Sequence, residues 1–541
     1  MADAEARVTS PHGRGMKSRG PVGLAVAMYV GLTLLLLVLG LQQTGHVFVY
    51  AQDDPYIHLT LARTLAEHGV WGIRPDQFAS ASSSPLWTLL LASLWAAGAH
   101  AVWWPLVINL VCGVGILVLA DTILRDSVDA RARVIILAAL IVVTPLPTLA
   151  LIGLEHSLQV LLSIAFGWAG ARMLASESTS RLPATCALAA LLVATRYEGL
   201  FLVAALAALL ACRSRFAAAS TLVAAALVPV AAYAAYSVAH GGLLVPNSLL
   251  MKSLPGRFGT VAEGMAAVLS DWASVFSLFS RPPELALTLT LLLILSRLPA
   301  LKIEALTRAS LLAAMFVIAM LVHACLVKLQ WFYRYEAALM AVGVLALGLI
   351  VASDDLRREL VVPLLRNAAG TILVVLLMLP LGARALSALA VTPGAMRNVF
   401  EQQYQMARFF RAAYPDATIA LNDIGAVAWL SSSAIVDVYG LSTQEVADLK
   451  RRREWDPDRL AGVVARRNVR AVAMYEKVFA ALIPPSWTLV GRWRIENNVG
   501  VSEDTVGFFA PTPGDVKRLR ESLDGFAPQL PPSVRYTVAR P

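Results

Sequence analysis

Two adjacent carboxylates, Asp53 and Asp54, stand just beyond the long apolar run Pro21–Leu41 and open the stretch Asp53–Asp54–Pro55–Tyr56–Ile57–His58. A charge so close to a membrane span is costly unless it has a partner or a task. One task open to a carboxylate there is to take the proton of a hydroxyl, which makes a weak nucleophile competent. Asp54 suits the N-cap of a helix that Pro55 begins, since proline loses nothing at the first helical position. Asp53 has no capping role at that offset, so it is the candidate base, with Asp54 the second catalytic candidate beside it. Ile57, Leu61 and Leu65 recur at i, i+4 and i+8 opposite His58, Arg63, Thr64 and Glu67. That pattern predicts a short amphipathic helix lying in the membrane interface.

Polar residues recur at the ends of later apolar runs. They are Glu155–His156, Arg196–Tyr197–Glu198, Pro246–Asn247–Ser248 with Lys252, and Lys328, Arg334, Tyr335 and Glu336. Each has a plain structural reading as well. Glu155 and His156 suit the positive end of a helix dipole. Arg196 and Glu198 can form an ion pair at a turn. Tyr333 and Tyr335 fit an aromatic belt, and Lys328 can snorkel to the interface. His58 sits on the polar helix face, where solvation alone would account for it.

The elements that must position these residues follow from composition. The chain has 541 residues, 58% hydrophobic and 15% charged, with long uncharged runs between Pro21 and Ala390. This is the composition of a polytopic helical membrane protein. The formal charge of +9 comes from Lys and Arg in short inter-helix loops, as in cytoplasmic loops, and does not indicate a nucleic-acid partner. Cys112, Cys186, Cys212 and Cys325 all lie in apolar runs and form no disulfide or metal pattern. Residues 1–20, with Arg7, Arg14, Lys17 and Arg19, read as a cytoplasmic leader. About eleven spans follow in a domain covering 21–392, the last near 368–390. Pro85–Ala99 is apolar but short. If it crossed, the basic loop Arg125–Arg133 would face outward, so a re-entrant or interfacial helix is expected instead. The N-terminus is then inside, and all five polar clusters share the outer face.

From Pro393 charges become frequent. Ala417–Leu421, Ala434–Val438 and Val469–Met474 read as strands alternating with helices, so 393–541 is expected to form an extracytoplasmic α/β domain. Asn422 and Asp423 end a strand and precede a helix. Open α/β sheets bind ligands at that position, and a helix cap is the plain alternative. No glycine-rich nucleotide fingerprint follows any of these strands.

The ordered set of motifs resembles the GT-C membrane glycosyltransferases, in particular the bacterial branch that includes the terminal arabinofuranosyltransferases. The pieces are Asp53–Asp54–Pro55–Tyr56–Ile57–His58, Ser83–Ser84–Pro85–Leu86–Trp87, Gly153–Leu154–Glu155–His156, Thr195–Arg196–Tyr197–Glu198–Gly199, Pro246–Asn247–Ser248, Arg334–Tyr335, Asn422–Asp423–Ile424–Gly425–Ala426 and Asp437–Val438–Tyr439–Gly440–Leu441. No one piece is specific; their order over most of the chain is. Tyr197 departs from the pattern, which has proline there. The resemblance implies an inverting transferase with a polyprenyl-phosphate sugar donor, a glycan, lipid or protein acceptor, and a place in the bacterial cytoplasmic membrane. It implies catalysis by Asp53 or Asp54 and substrate binding by His58, Glu155, His156, Arg196, Glu198, Asn247, Lys252, Arg334, Tyr335, Asn422 and Asp423. Arg196, Lys252 and Arg334 are the candidates for the lipid phosphate, since a guanidinium matches phosphate bidentately. Some GT-C enzymes use a divalent metal ion, which Asp53 and Glu155 could hold.

Two other classes fit parts of the pattern. One is a transporter or flippase of lipid-linked saccharides, but transporters favour polar, broken helices at mid-membrane and internal repeats, neither of which this sequence shows. The other is an assembly partner for a cell-envelope complex. The sugar, the acceptor and the linkage are not encoded in any motif.

Overall fold

The apolar runs form helices, and where such a run is uninterrupted the helix is long. The computed structural model describes residues 20–176, 179–252, 282–301, 307–327, 331–353, 358 and 361–539. Eleven helices lie within residues 20–252: α1 (Gly20–Gln43), α2 (Asp54–His68), α3 (Pro85–Ala96), α4 (Trp104–Leu124), α5 (Ala130–Val143), α6 (Leu146–Ile152), α7 (His156–Ala175), α8 (Leu182–Thr195), α9 (Gly199–Cys212), α10 (Phe216–Ala239) and α11 (Asn247–Lys252). Then come α12 (Pro282–Leu301), α13 (Thr307–Leu326), α14 (Ala337–Val351), α15 (Val362–Arg366) and α16 (Ala368–Val399). Among the described residues, seven helical stretches are long and apolar enough to cross a membrane, with α5 and α6 counted as one. The chain is a polytopic helical membrane protein.

The other expected spans are shorter apolar helices in the same bundle. Helices α8 and α9 have 14 residues each. At 1.5 Å per residue that is about 21 Å, less than the roughly 30 Å hydrocarbon layer. They do not stand alone in lipid: α8 packs on α7 and α10, and α9 on α10 and α13. Helix α14 is buried over nearly its whole length and occupies the middle of the bundle, which explains its lack of a polar face.

Helix α3 does not run through to the far end of the bundle. It packs along α2, and Trp95 at its C-terminal end lies 5.6 Å from the ring of Trp429 in the C-terminal domain. The Trp95 indole also donates to Glu67 of α2 at 2.9 Å. Both ends of α3 are therefore on the side that carries Asp53. Helix α2 differs from the sequence expectation. Most of its residues, His58 and Thr64 included, are buried, and Arg63 donates to the carbonyls of Ala428 and Trp429 at 3.3 Å. Its polar face is divided: Arg63 meets the C-terminal domain, His58 faces Glu155 inside the bundle, and Glu67 stays exposed.

That domain grows out of the membrane part without a break. Helix α16 passes through a π-helical turn, Phe400–Tyr404, into α17 (Gln405–Ala413), giving one helical rod of 46 residues from Ala368 to Ala413. The composition change at Pro393 falls inside this rod. The end of the rod forms the domain's core: the Phe409 ring lies 5.5–5.6 Å from those of Trp493, Phe508 and Phe526. The strands are β1 (Thr418–Leu421), β2 (Ala434–Asp437), β3 (Val469–Tyr475), β4 (Thr488–Ile495), β5 (Thr505–Ala510) and β6 (Val534–Val538). They form one six-stranded sheet of order β2-β1-β3-β5-β4-β6. The three strands expected from sequence are its parallel half. The other half, β5-β4-β6, is antiparallel and joins the parallel half through the β3–β5 pair. Helices α18 (Gly425–Leu430), α19 (Gln444–Arg451), α20 (Pro457–Arg466) and α21 (Pro513–Phe526) connect the strands.

This arrangement predicts that cysteines placed singly at positions 100 and 429 in a cysteine-free background react from the same side of the membrane. A cysteine at position 128 should react only from the other side. Labelling of 128 together with 429, with 100 reacting only from the other side, would show that α3 crosses.

Candidate functional site

Two local turns place the first acidic residues. Helix α6 ends at Gly153, whose φ of 72° belongs to the left-handed region, and a side chain there would run into the Tyr50 ring. Glycine thus allows the chain to reverse tightly beneath Tyr50 and to deliver Glu155 and His156 at the start of α7. The loop after α1 is fastened alongside, with the Ala51 amide donating to Leu151 O at 3.0 Å. Helix α2 begins at Asp54, so Asp54 is its first residue and not its cap; no side chain caps this helix.

Asp53 carries a different load from the one expected. Its two carboxylate oxygens accept the backbone amides of Gly425, at 2.6 Å, and Ala426, at 2.7 Å. It thereby caps α18, a helix of the C-terminal domain, and Gly425 is required for the approach. A Cβ at Gly425 would strike Asp53 O and stand 2.7 Å from its carboxylate. Burial, and secondarily the charge of Asp423, raise the Asp53 carboxyl to about 8, against the pull of the two amides.

Asp54 faces the bundle. Its Oδ2 accepts from Arg334 Nη2 at 3.1 Å. Arg334 lies against the Tyr335 ring, 5.1 Å from its centroid, and Arg196 lies against the same ring at 4.9 Å. One aromatic ring thus joins two guanidiniums. Their partners differ. Arg196 donates from Nη1 to Glu155, from Nε to Glu198 at 3.2 Å and from Nη2 to Glu198 at 2.6 Å. Arg334 spends Nη2 on Asp54, while its buried Nε and Nη1 have no partner among the described residues. His58 Nε2 stands 4.0 Å from Glu155, and the His156 ring meets the edge of Tyr335 at 5.9 Å. Tyr197 leaves its turn intact: the amides of Gly199 and Leu200 donate to the carbonyls of Arg196 and Tyr197 at 3.0 Å.

Asp423 and Asn422 extend this network into the C-terminal domain. Neither caps α18. Asn422 Oδ1 accepts the Tyr475 amide at 3.0 Å. Asp423 Oδ2 accepts the Tyr475 hydroxyl at 2.6 Å and Gln403 Nε2 at 2.8 Å. Burial raises the Asp423 carboxyl, which these two donors partly offset. Gln402 and Gln403 come from the π-helical turn of the rod, a distortion that recurs at functional sites. Nothing in the sequence marks them. Tyr475 ends β3 beside Asn422 and was findable as a strand C-terminus in the parallel half-sheet.

Asp53, Asp54, His58, Glu155, His156, Arg196, Glu198, Arg334 and Tyr335 thus form one connected group, with Asn422 and Asp423 beside it. Asn247 does not join it; its Nδ2 reaches Gln444 Oε1 at 3.1 Å and Leu441 O at 3.4 Å, tying α11 to the C-terminal domain. The Lys252 side chain and Lys328 lie outside the described residues. Of the expected metal pair, Asp53 accepts two amides and Glu155 Oε1 accepts from Arg196, while Glu155 Oε2 has no hydrogen-bond partner among the described residues. Among the described residues no three His, Cys, Asp or Glu side chains converge to hold an ion.

The fold and this network define a polytopic membrane protein with a charged site where its bundle meets an extramembrane α/β domain. In sequence, residues 396–509 match a family described as a domain of unknown function (DUF8728). No curated protein matches the chain. Among solved structures it is similar to ArnT from Cupriavidus metallidurans in the apo state, with 13% identity and a TM-score of 0.48 over 92% of this chain and 98% of that one. It is also similar to the Archaeoglobus fulgidus oligosaccharyltransferase in the apo form, with 12% identity and a TM-score of 0.46 over 91% of this chain and 75% of that one. The latter enzyme in complex with Zn and sulfate gives 14%, 0.47, 91% and 73%.

Two outcomes follow from the Asp53 contact. Gly425→Ala forces α18 away from Asp53 and should cost roughly 1–3 kcal/mol of stability, read as a lower melting temperature and faster proteolysis between the two parts. The folded protein also binds the Asp53 proton more tightly than the unfolded chain does, so this stability is present at low pH and lost as pH rises from about 4 towards about 8. A melting temperature that does not fall over that window, or a fall that Asp53→Asn leaves equally steep, would contradict the assignment.

Proposed function

We propose that this protein is an inverting glycosyltransferase of the GT-C type, moving a sugar from a polyprenyl-phosphate donor to a glycan, lipid or protein acceptor. The observation that carries the reading is the meeting of the Asp53–Asp54 pair with Arg334, a buried arginine with two nitrogens, Nε and Nη1, unpartnered among the described residues. A sugar hydroxyl needs a base, and a departing phosphate needs a cation. Both are present at the ends of membrane helices, the depth at which a polyprenyl phosphate presents its headgroup. Asp53 takes the acceptor's proton. The acceptor oxygen bonds to the anomeric carbon while the carbon–oxygen bond to phosphate breaks, and its electron pair leaves with the phosphate towards Arg334 Nε and Nη1. A single base and no covalent intermediate give inversion. Arg196, neutralised by Glu155 and Glu198, positions Tyr335 and hence Arg334. Asn422, Asp423 and the loops around them supply the acceptor side.

The orientation that goes with this reading has the N-terminus in the cytoplasm of a bacterium and the C-terminal domain outside. The order of the motifs makes a polyprenyl-phosphate arabinofuranose the first donor to test.

Asp53→Asn should lower transfer by roughly 10²–10⁴-fold with donor binding kept. Asp54→Asn should do less, and Arg334→Ala should raise the donor KM by about tenfold or more through loss of charge-assisted bonds. Wild-type kcat/KM should rise with pH towards about 8 as Asp53 loses its proton. Transfer in liposomes at matched expression measures all of these. Full activity in Asp53→Asn would end the mechanism.

A further inference from the structure

Arg384, on helix α16, touches none of the residues assigned above to substrate. Its side chain is wholly enclosed. An enclosed charge is expensive unless it is paired and bonded, and four of its five N–H groups have acceptors. Nε donates to Val143 O at 2.9 Å. Nη1 donates to Glu284 Oε1 at 2.6 Å and Glu336 Oε1 at 2.9 Å. Nη2 donates to Tyr333 O at 3.1 Å, and the guanidinium lies 4.4 Å from the centroid of the Tyr333 ring.

Two of these partners, Tyr333 and Glu336, flank Arg334. The turn they enclose is strained. Phe332 and Tyr333 have φ of 63° and 56°, left-handed values that residues of this bulk avoid. Such a pair persists only where its surroundings hold it. Arg384 holds Tyr333 by both carbonyl and ring, and it holds Glu336 at the first turn of α14. We infer that Arg384 is the positioning residue for Arg334: it fixes the Phe332–Tyr333 turn so that the Arg334 N–H groups face the donor phosphate. This inference rests on the reading of Arg334 as the phosphate's partner. Lysine cannot replace Arg384, because an ammonium lacks the planar fork that reaches diverging acceptors.

The test compares wild type, Arg334→Ala, Arg384→Lys and the double variant as full-length protein in detergent. It reads amide hydrogen exchange in peptides covering 331–336 and binding of decaprenyl phosphate by native mass spectrometry. Arg384→Lys should speed exchange at 331–336 and weaken binding about tenfold or more. In the Arg334→Ala background it should add little, because both changes remove the same contact. Tyr333→Leu, which removes only the ring contact, should move both readings in the same direction and serves if Arg384→Lys fails to fold. A purely structural arginine would lower the yield of folded protein while leaving the folded fraction's affinity unchanged, or would add fully to Arg334→Ala; either result overturns the inference. Wild type that fails to bind decaprenyl phosphate overturns the glycosyl-transfer reading itself. Unchanged exchange at 331–336 overturns the clamp separately.

Discussion

The carboxylate of Asp53 and the amides of Gly425 and Ala426 lie 372 and 373 residues apart in sequence, and each would be costly to bury without the other. A buried carboxylate with no donor pays its full desolvation penalty. The first amides of a helix have no acceptor within it. Putting the one on the other gives the orphan amides an acceptor, offsets part of the carboxylate's desolvation cost and fixes the C-terminal domain over the loop that follows α1. Glycine at 425 is the steric condition for this contact. The placement of the domain and the placement of the candidate base are therefore one event. A change that lifts the domain also frees Asp53, lowers its proton affinity and exposes Asp54 and Arg334 beneath it.

Around this contact three arginines divide the work according to how fully each is bonded. Arg384 is paired with two carboxylates, two carbonyls and a ring, with four of its five N–H groups bonded, and acts on backbone conformation. Arg196 is neutralised by Glu155 and Glu198, and what it presents onward is a face against Tyr335. Arg334 has Nη2 on Asp54 and two nitrogens, Nε and Nη1, without partners among the described residues, so it is the one with capacity to bind. The same residue type thus gives a clamp, a spacer and a candidate ligand, and the neighbouring carboxylates make the difference. The 46-residue rod from Ala368 to Ala413 ties the clamp to the domain, since Arg384, the π-helical turn and the aromatic core of the sheet all lie along it.

Much of the architecture was legible because its causes are local. A run of apolar residues long enough to cross a bilayer announces a helix without reference to the rest of the chain, and the basic loop Arg125–Arg133 was enough to keep α3 from being read as a span. The polar clusters at the helix ends could be gathered on one face once the crossings alternated. The parallel strands were visible as short β-branched runs between helices. What decided the site is long-range. No spacing in the sequence says that Asp53 caps a helix near position 425, that Asp423 serves Tyr475 and Gln403, or that Asn247 braces a domain contact. Arg384 lies in an apolar stretch with no motif around it, and its acceptors arrive from three other helices and a turn. The antiparallel half of the sheet depends on pairing across loops. Hydrophobic periodicity is a property of neighbours in sequence, so the sequence by itself determined the helices, their alternation and the residue types at their ends. The partner of each buried charge is a property of neighbours in space, and only the tertiary structure decided it.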